Sequence, residues 1–207
     1  TITGKADGHH RHKKQTGGSG QFGEVFLRVE PLPAEEDFVF SNEVTGGAIP
    51  GQFISSIEKG VREAMHEGFV AGFPMHNIKV TVYDGKSHSV DGKDIAFQMA
   101  GKKAFQDAMA SARPVIMEPI TSMEITAPAD DMGAIAGDLS SRRGKILGSE
   151  HRSGGRVRLH AEAPLAEVLE YDAVLKSITG GAGQCIMILS DYERVPASTQ
   201  QKLASGE

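Results

Sequence analysis

Beyond Pro119 the hydrophobic period of the chain switches repeatedly between two and about 3.6 residues, in an order that few folds accommodate. SMEITAP alternates as a strand, and DDMGAIAGDLSSRRG follows as a helix. Asp130 and Asp131 stand at the start of that helix and Arg142 and Arg143 near its end, each matching the local sign of the helix dipole. Gly144 supplies a stop. KILGSE and RVRLHAEA read as a strand pair around SGG, with Val157, Leu159 and Ala161 on one face and Arg156, Arg158 and His160 on the other. PLAEVLEYDAVLKSI is a second helix, ended by TGGAG, and QCIMILSDYE is a strand apolar on both sides. The order is βαββαβ, the split unit of the ferredoxin-like fold.

The first half has a different rhythm. Thr1–Lys14 is polar and basic, with HHRHKK as the densest charge, and reads as an edge strand beginning in mid-strand. That beginning, and the missing initiator Met, lead us to expect a piece of a longer protein. After a glycine-rich turn, Val25, Leu27 and Val29 alternate with Phe26, Arg28 and Glu30 in a strand closed by Pro31. FVFSNEV is another strand, and GGAIPG opens a helix with Phe53, Ile54, Ile57, Val61, Ala64 and Met65 on one face. A strand from NIKVTVYDG runs into a polar turn around Gly85–Gly92. A helix from about Lys93 to Ala112 then stops before Pro114. We therefore expect an α+β chain of two domains, 1–118 and 119–207, with a loose tail after Pro196.

The stretch GSGQFGEV fits G-x-G-x-x-G-x-V, the glycine-rich loop of protein kinases. Its partners are missing: no lysine lies between Val25 and Lys59, and there is no H-R-D or D-F-G triplet. G-x-x-x-x-G-K-[ST] is absent too, and Gly18–Gly23 opens a strand rather than a helix, so neither a P-loop nor a dinucleotide fingerprint is present. On the residues alone, the stretch is a hairpin turn needing glycine, or a turn that approaches something bulky.

With 22 Lys+Arg against 27 Asp+Glu the chain carries a net charge of -5, which argues against general coating of polyanions and leaves local contact with nucleic acid open. The single cysteine, Cys185, excludes an intramolecular disulfide and suits a reducing cytosol; QCIMILS makes it a buried strand residue rather than a nucleophile. No apolar run approaches membrane-spanning length. His9, His10 and His12 lie close enough to ask for a metal, since His10 and His12 share a strand face. Arg11, Lys13 and Lys14 surround them and no CxxC or HExxH accompanies them, so we expect no metal site. Asp130, Asp131 and Asp138 read as helix-start and solvent-facing carboxylates, not an acid pair.

The segments QTGGSGQFGEV, GGAIPGQFISSIEKGVREA, LSSRRGKILG and AEAPLAEVLEYDAVLKSITGGAG resemble the C-terminal third of elongation factor G, the translocation GTPase, in its fourth and fifth domains. The likeness covers essentially the whole chain. It implies an S5-like mixed α/β domain with a left-handed βαβ crossover, then a ferredoxin-like one. Main-line members carry arginine in the glycine-rich loop where this chain has Ser19. HKKQTGG is more similar to the divergent paralogous branch.

The resemblance implies a non-enzymatic, cytoplasmic arm whose parent chain is a GTPase using GTP and Mg. Its partners would be ribosomal RNA of both subunits, the tRNA–mRNA pair in the decoding centre, and the parent's own GTPase and third domains. It would act in translocation. Recycling, rescue or regulation is the alternative job within the family, and a stand-alone nucleotide or zinc enzyme the alternative outside it. The RNA-contacting tip would consist of Gln15, Thr16, Gly17, Gly18, Ser19, Gly20 and Gln21. Ser87, His88 and Ser89 would join them from a second loop, similar to the family's YHDVDS. Amides and small polar groups there can meet phosphates and ribose hydroxyls without reading sequence. Arg11, Lys13 and Lys14 form a basic collar or a solvated, charge-blunted edge. Arg142, Arg143, Arg152 and Arg156 contact ribosomal RNA or serve the helix dipole and a solvated hairpin.

Overall fold

The computed structural model describes residues 1–15 and 18–206. It is mixed α/β and divides into two compact units, each built on its own four-stranded sheet: Thr1–Ile116 with Pro196–Glu207, and Met117–Val195.

In the first unit, β1 (Ala6–Lys14) and β2 (Gln21–Pro31) form an antiparallel hairpin. β3 (Phe38–Asn42) leads through a 3₁₀ turn into α1 (Ile54–Glu67), and the chain returns as β4 (Ile78–Lys86), parallel to β3. α2 (Asp94–Met109) closes the unit, and the sheet order is β1-β2-β4-β3. The sheet forms because alternation puts Val25, Leu27, Val29, Ile78, Val80 and Val82 on one face, where all are fully buried. Each such side chain contributes roughly 1.5–3 kcal/mol on leaving water. α1 supplies the opposing stripe at Ile57, Val61, Ala64 and Met65.

The two helices cross at glycine. A Cβ on Gly60 would lie 2.0 Å from the carbonyl oxygen of Gln98, and one on Gly101 would lie 2.8 Å from that of Ile57. Only bare backbone on both sides permits this approach, so the pair sets how closely α1 and α2 pack.

In the second unit, β5 (Met117–Pro128), α3 (Met132–Ser141), β6 (Lys145–Arg152) and β7 (Arg156–Pro164) follow in turn. Two short helices, α4 (Leu165–Val168) and α5 (Tyr171–Ile178), precede β8 (Gln184–Arg194). The all-antiparallel order β6-β7-β5-β8 is the ferredoxin-like arrangement expected from the strand–helix rhythm. Met123, Ile125, Ile135, Leu139, Val157, Leu159, Tyr171 and Leu175 make its core.

Three details differ from expectation. The helix read from PLAEVLEYDAVLKSI is broken between Val168 and Tyr171. Arg142 Nη1 donates to the Glu167 carbonyl at 2.9 Å, occupying the acceptor that a continuous helix would offer to the Tyr171 amide. β8 is apolar on both sides in composition but not in burial: Ile186 and Ile188 are 60% and 66% exposed, whereas Cys185 and Met187 are half-buried. Even half-buried, the Cys185 thiol is pushed up to about 11, by burial first and then by Asp172. The segment after Pro196, expected to trail the second domain, forms α6 (Ala197–Ser205) and belongs to the first unit. Gln200 anchors it, accepting from the Ile116 amide at 3.1 Å and donating to the Pro114 carbonyl at 3.3 Å.

Candidate nucleic-acid interface

Two loops leave the same end of the first unit's sheet. The β1–β2 turn and the β4–α2 loop are neighbours because β2 pairs with both strands, Lys14 facing Gln21 and Glu24 facing Lys86. The structure joins them into one body. The Phe22 amide donates to the Asp91 carbonyl at 2.7 Å, and Phe22 and Gly92 form an isolated parallel bridge. Lys93 Nζ donates to Ser19 Oγ at 2.5 Å. Gly20 packs so closely on the second loop that a Cβ there would sit 2.5 Å from Asp91 Oδ1.

The second loop is organised around its histidine. His88 Nδ1 accepts from the Val90 and Asp91 amides at 3.3 and 3.2 Å, and the Gly92 amide donates to the His88 carbonyl at 2.8 Å. An Nδ1 that accepts two amides leaves the neutral ring's proton on Nε2, free to donate outward. The ring tilts against Phe22 with centroids 6.2 Å apart. Gln15, Gly18, Ser19, His88 and Ser89 are exposed, and Ser87, Gly20 and Gln21 are half-buried. Gly18 has φ +148° with nothing within 4 Å of where a Cβ would lie, so backbone conformation alone requires glycine there. Gln21 accepts from His12 Nε2 at 2.9 Å. Thr16 and Gly17, also expected at this tip, lie outside the described residues.

The basic collar is not uniform. Arg11 reaches across the hairpin to Glu24 at 3.0 Å, and His9 Nε2 donates to the same carboxylate at 2.8 Å while stacking on Phe26 at 4.1 Å. Glu24 is 4% exposed. Burial pushes its carboxyl up, but the hydrogen bonds from Arg11 and His9 outweigh burial and hold it below the usual range. Arg11 is thus largely neutralised within the sheet. Lys13 and Lys14 are exposed, and among the described residues neither forms an ion pair.

In the second unit, Arg143 forms a bidentate pair with Glu118 at 2.7 and 2.8 Å and also bonds Glu167 at 3.1 Å. Glu118 and Glu167 raise its pKa further, Glu118 most. Arg142 is held by Asp138 at 2.8 Å and lies over the Tyr171 ring at 5.8 Å. Arg156 donates to the carbonyl of Ala182 at 2.9 Å, and Arg152 pairs with Glu150 at 2.7 Å. Arg142 and Arg143 are therefore tied into their own unit by more contacts than dipole matching alone would require.

The residues that lock the two loops together, Phe22, Asp91 and Lys93, do not stand out in the sequence. The one available signal is Lys93 itself, a lysine where a helix start favours Ser, Thr, Asp or Asn. The arrangement can offer amides, hydroxyls and ammonium groups to an anionic or polar surface. Elsewhere in the unit, a cleft of about 160 Å³ lies beside Asp37, Arg62 and His76. There His76 pairs with Asp37 at 2.6 Å and Arg62 with Glu58 at 2.7 Å.

Two sequence families match this chain: the one described as Elongation factor G, domain IV, over residues 1–113, and the one described as Elongation factor G C-terminus, over residues 115–203. An Elongation factor G-like protein of Thermotoga maritima is 46% identical over 98% of the chain. An Elongation factor G of Aquifex pyrophilus is likewise 46% identical over 98%, and an Elongation factor G-like protein of Mycobacterium tuberculosis 45% over 100%. A crystal structure of a Thermus thermophilus protein superposes with a TM-score of 0.85 at 44% identity, covering 99% of the chain and 30% of its counterpart. The chain spans 29–30% of the length of these curated relatives.

Proposed function

Because the chain belongs to the elongation factor G family of translation factors, we propose that it is the ribosome-contacting arm of a GTP-driven elongation factor, acting in the movement of tRNA and mRNA. The observation that carries this reading is the composite tip, two loops locked into one surface of amides and small polar groups. Such a surface suits a factor that must meet every codon, because it contacts phosphates and ribose hydroxyls without selecting bases. The arm's contribution is positional. GTP hydrolysis, with Mg, would belong to a domain outside this chain. The partners are ribosomal RNA and the tRNA–mRNA pair in the decoding centre, with the parent's GTPase and third domains as neighbours, in the cytoplasm.

A second reading keeps the ribosome and changes the task to recycling, rescue or regulation. It is favoured by the naming of two of the relatives as Elongation factor G-like rather than Elongation factor G. One experiment separates the two. The full-length protein, loaded with GTP, is mixed with pre-translocation ribosomes carrying a fluorescent mRNA. Rapid mRNA movement is the expected result. Ribosome-stimulated GTP hydrolysis without movement assigns the second task, and loss of both removes the ribosomal reading.

A further inference from the structure

The tip carries a cation that the helix behind it does not need. Lys93 occupies the residue before α2 in extended backbone, φ −142° and ψ 152°, where a side-chain acceptor normally caps the first turn. Lysine has no acceptor, no side-chain cap bond forms, and its charge stands at the positive end of the helix dipole. Neither capping nor dipole accounts for it.

An ion pair does not account for it either. Asp91 is turned to Gly20, and Asp94 accepts from Ser56 Oγ at 2.7 Å. Among the described residues the polar partner of Lys93 Nζ is Ser19 Oγ, a neutral group on the other loop. An ammonium has three donors, so two remain after Ser19 is satisfied. Beside it, Gly18 has open space where a side chain would be, which leaves the loop backbone accessible to a bulky ligand.

We propose that Lys93 is the phosphate-contacting residue of this tip: Ser19 aims its ammonium, which takes one backbone phosphate of the RNA that the two loops approach. The proposal rests on the ribosomal reading above and assigns the tip's charge to the second loop. A lysine meets phosphate as a point charge, so the contact is indifferent to sequence.

The test measures binding of the full-length protein to ribosomes across a salt titration. Lys93→Gln is expected to lower the slope of log affinity against log salt by about 1, with Lys93→Arg retaining the wild-type slope. Ser19→Ala is expected to keep the slope and weaken binding, because the charge remains but is no longer aimed; unchanged affinity would remove Ser19 from the proposal. Thermal melting of each variant reports any structural role. Lys93→Gln with wild-type slope overturns the proposal, including when its melting temperature falls. A wild-type protein that does not bind ribosomes removes the ribosomal reading and this proposal together. Binding by wild type with an unaltered slope in Lys93→Gln removes this proposal alone.

Discussion

Glu24 is the residue on which the outer face of the first sheet turns. It is buried, faces Arg11 directly across the hairpin register, and is bonded by His9 as well. Its folded-state pKa lies below its unfolded one, so its stabilising contribution is complete above the ordinary glutamate value of about 4.3 and is lost as pH falls through the folded value. Glu24→Gln is expected to lower stability at neutral pH by about 1 kcal/mol, Arg11 being partly exposed, and to flatten the loss of stability below about pH 4.3. Chemical denaturation at pH 3 to 7 checks both; parallel curves for the two proteins would refute the assignment. The same contact shows what sequence reasoning can and cannot reach at this scale. HHRHKK reads as a basic run because charge is visible in the chain, but the pairing of Arg11 with Glu24 depends on a strand register fixed by a turn. Lys93 was hidden for a related reason, since its partner Ser19 is distant in sequence and contributes only a hydroxyl.

At the scale of elements, the ferredoxin-like unit is readable because its strands and helices differ in period, and in β5 and β7 burial follows the same alternation that composition displays. The break between α4 and α5 was not readable, because it depends on where the Arg142 guanidinium lands. The exposure of Ile186 and Ile188 was hidden for the opposite reason: an apolar side chain carries no mark of which face will be covered. The α1–α2 crossing gives a sharp test. Gly60→Ala would drive a Cβ against the Gln98 carbonyl, backbone that cannot rotate aside as a side chain does. The expected cost is about 1–3 kcal/mol, in the range of overpacked cores, and urea denaturation measures it. A loss below a few tenths of a kcal/mol would mean that the helices part without strain.

For the whole molecule, the main departure from the sequence reading is the end of the chain. Composition after Pro196 is polar and short, which reads as a tail, yet α6 belongs to the first unit, its Gln200 bonded to residues 84 and 86 positions earlier. Deleting residues 196–207 is expected to leave the sheet of the first unit folded while removing the protection of the Ile116 amide against hydrogen exchange. Unchanged exchange at Ile116 would mean that Gln200 contributes nothing there. The same connectivity sets an order in time. The first unit leaves the site of its own synthesis without its last helix, and all of Met117–Val195 must be made before that helix exists. At ordinary rates of synthesis this delay is roughly 4 to 16 s, long compared with the folding of a small domain. The Ile116 amide and the Pro114 carbonyl wait through it for Gln200, so the unit made first is the one completed last.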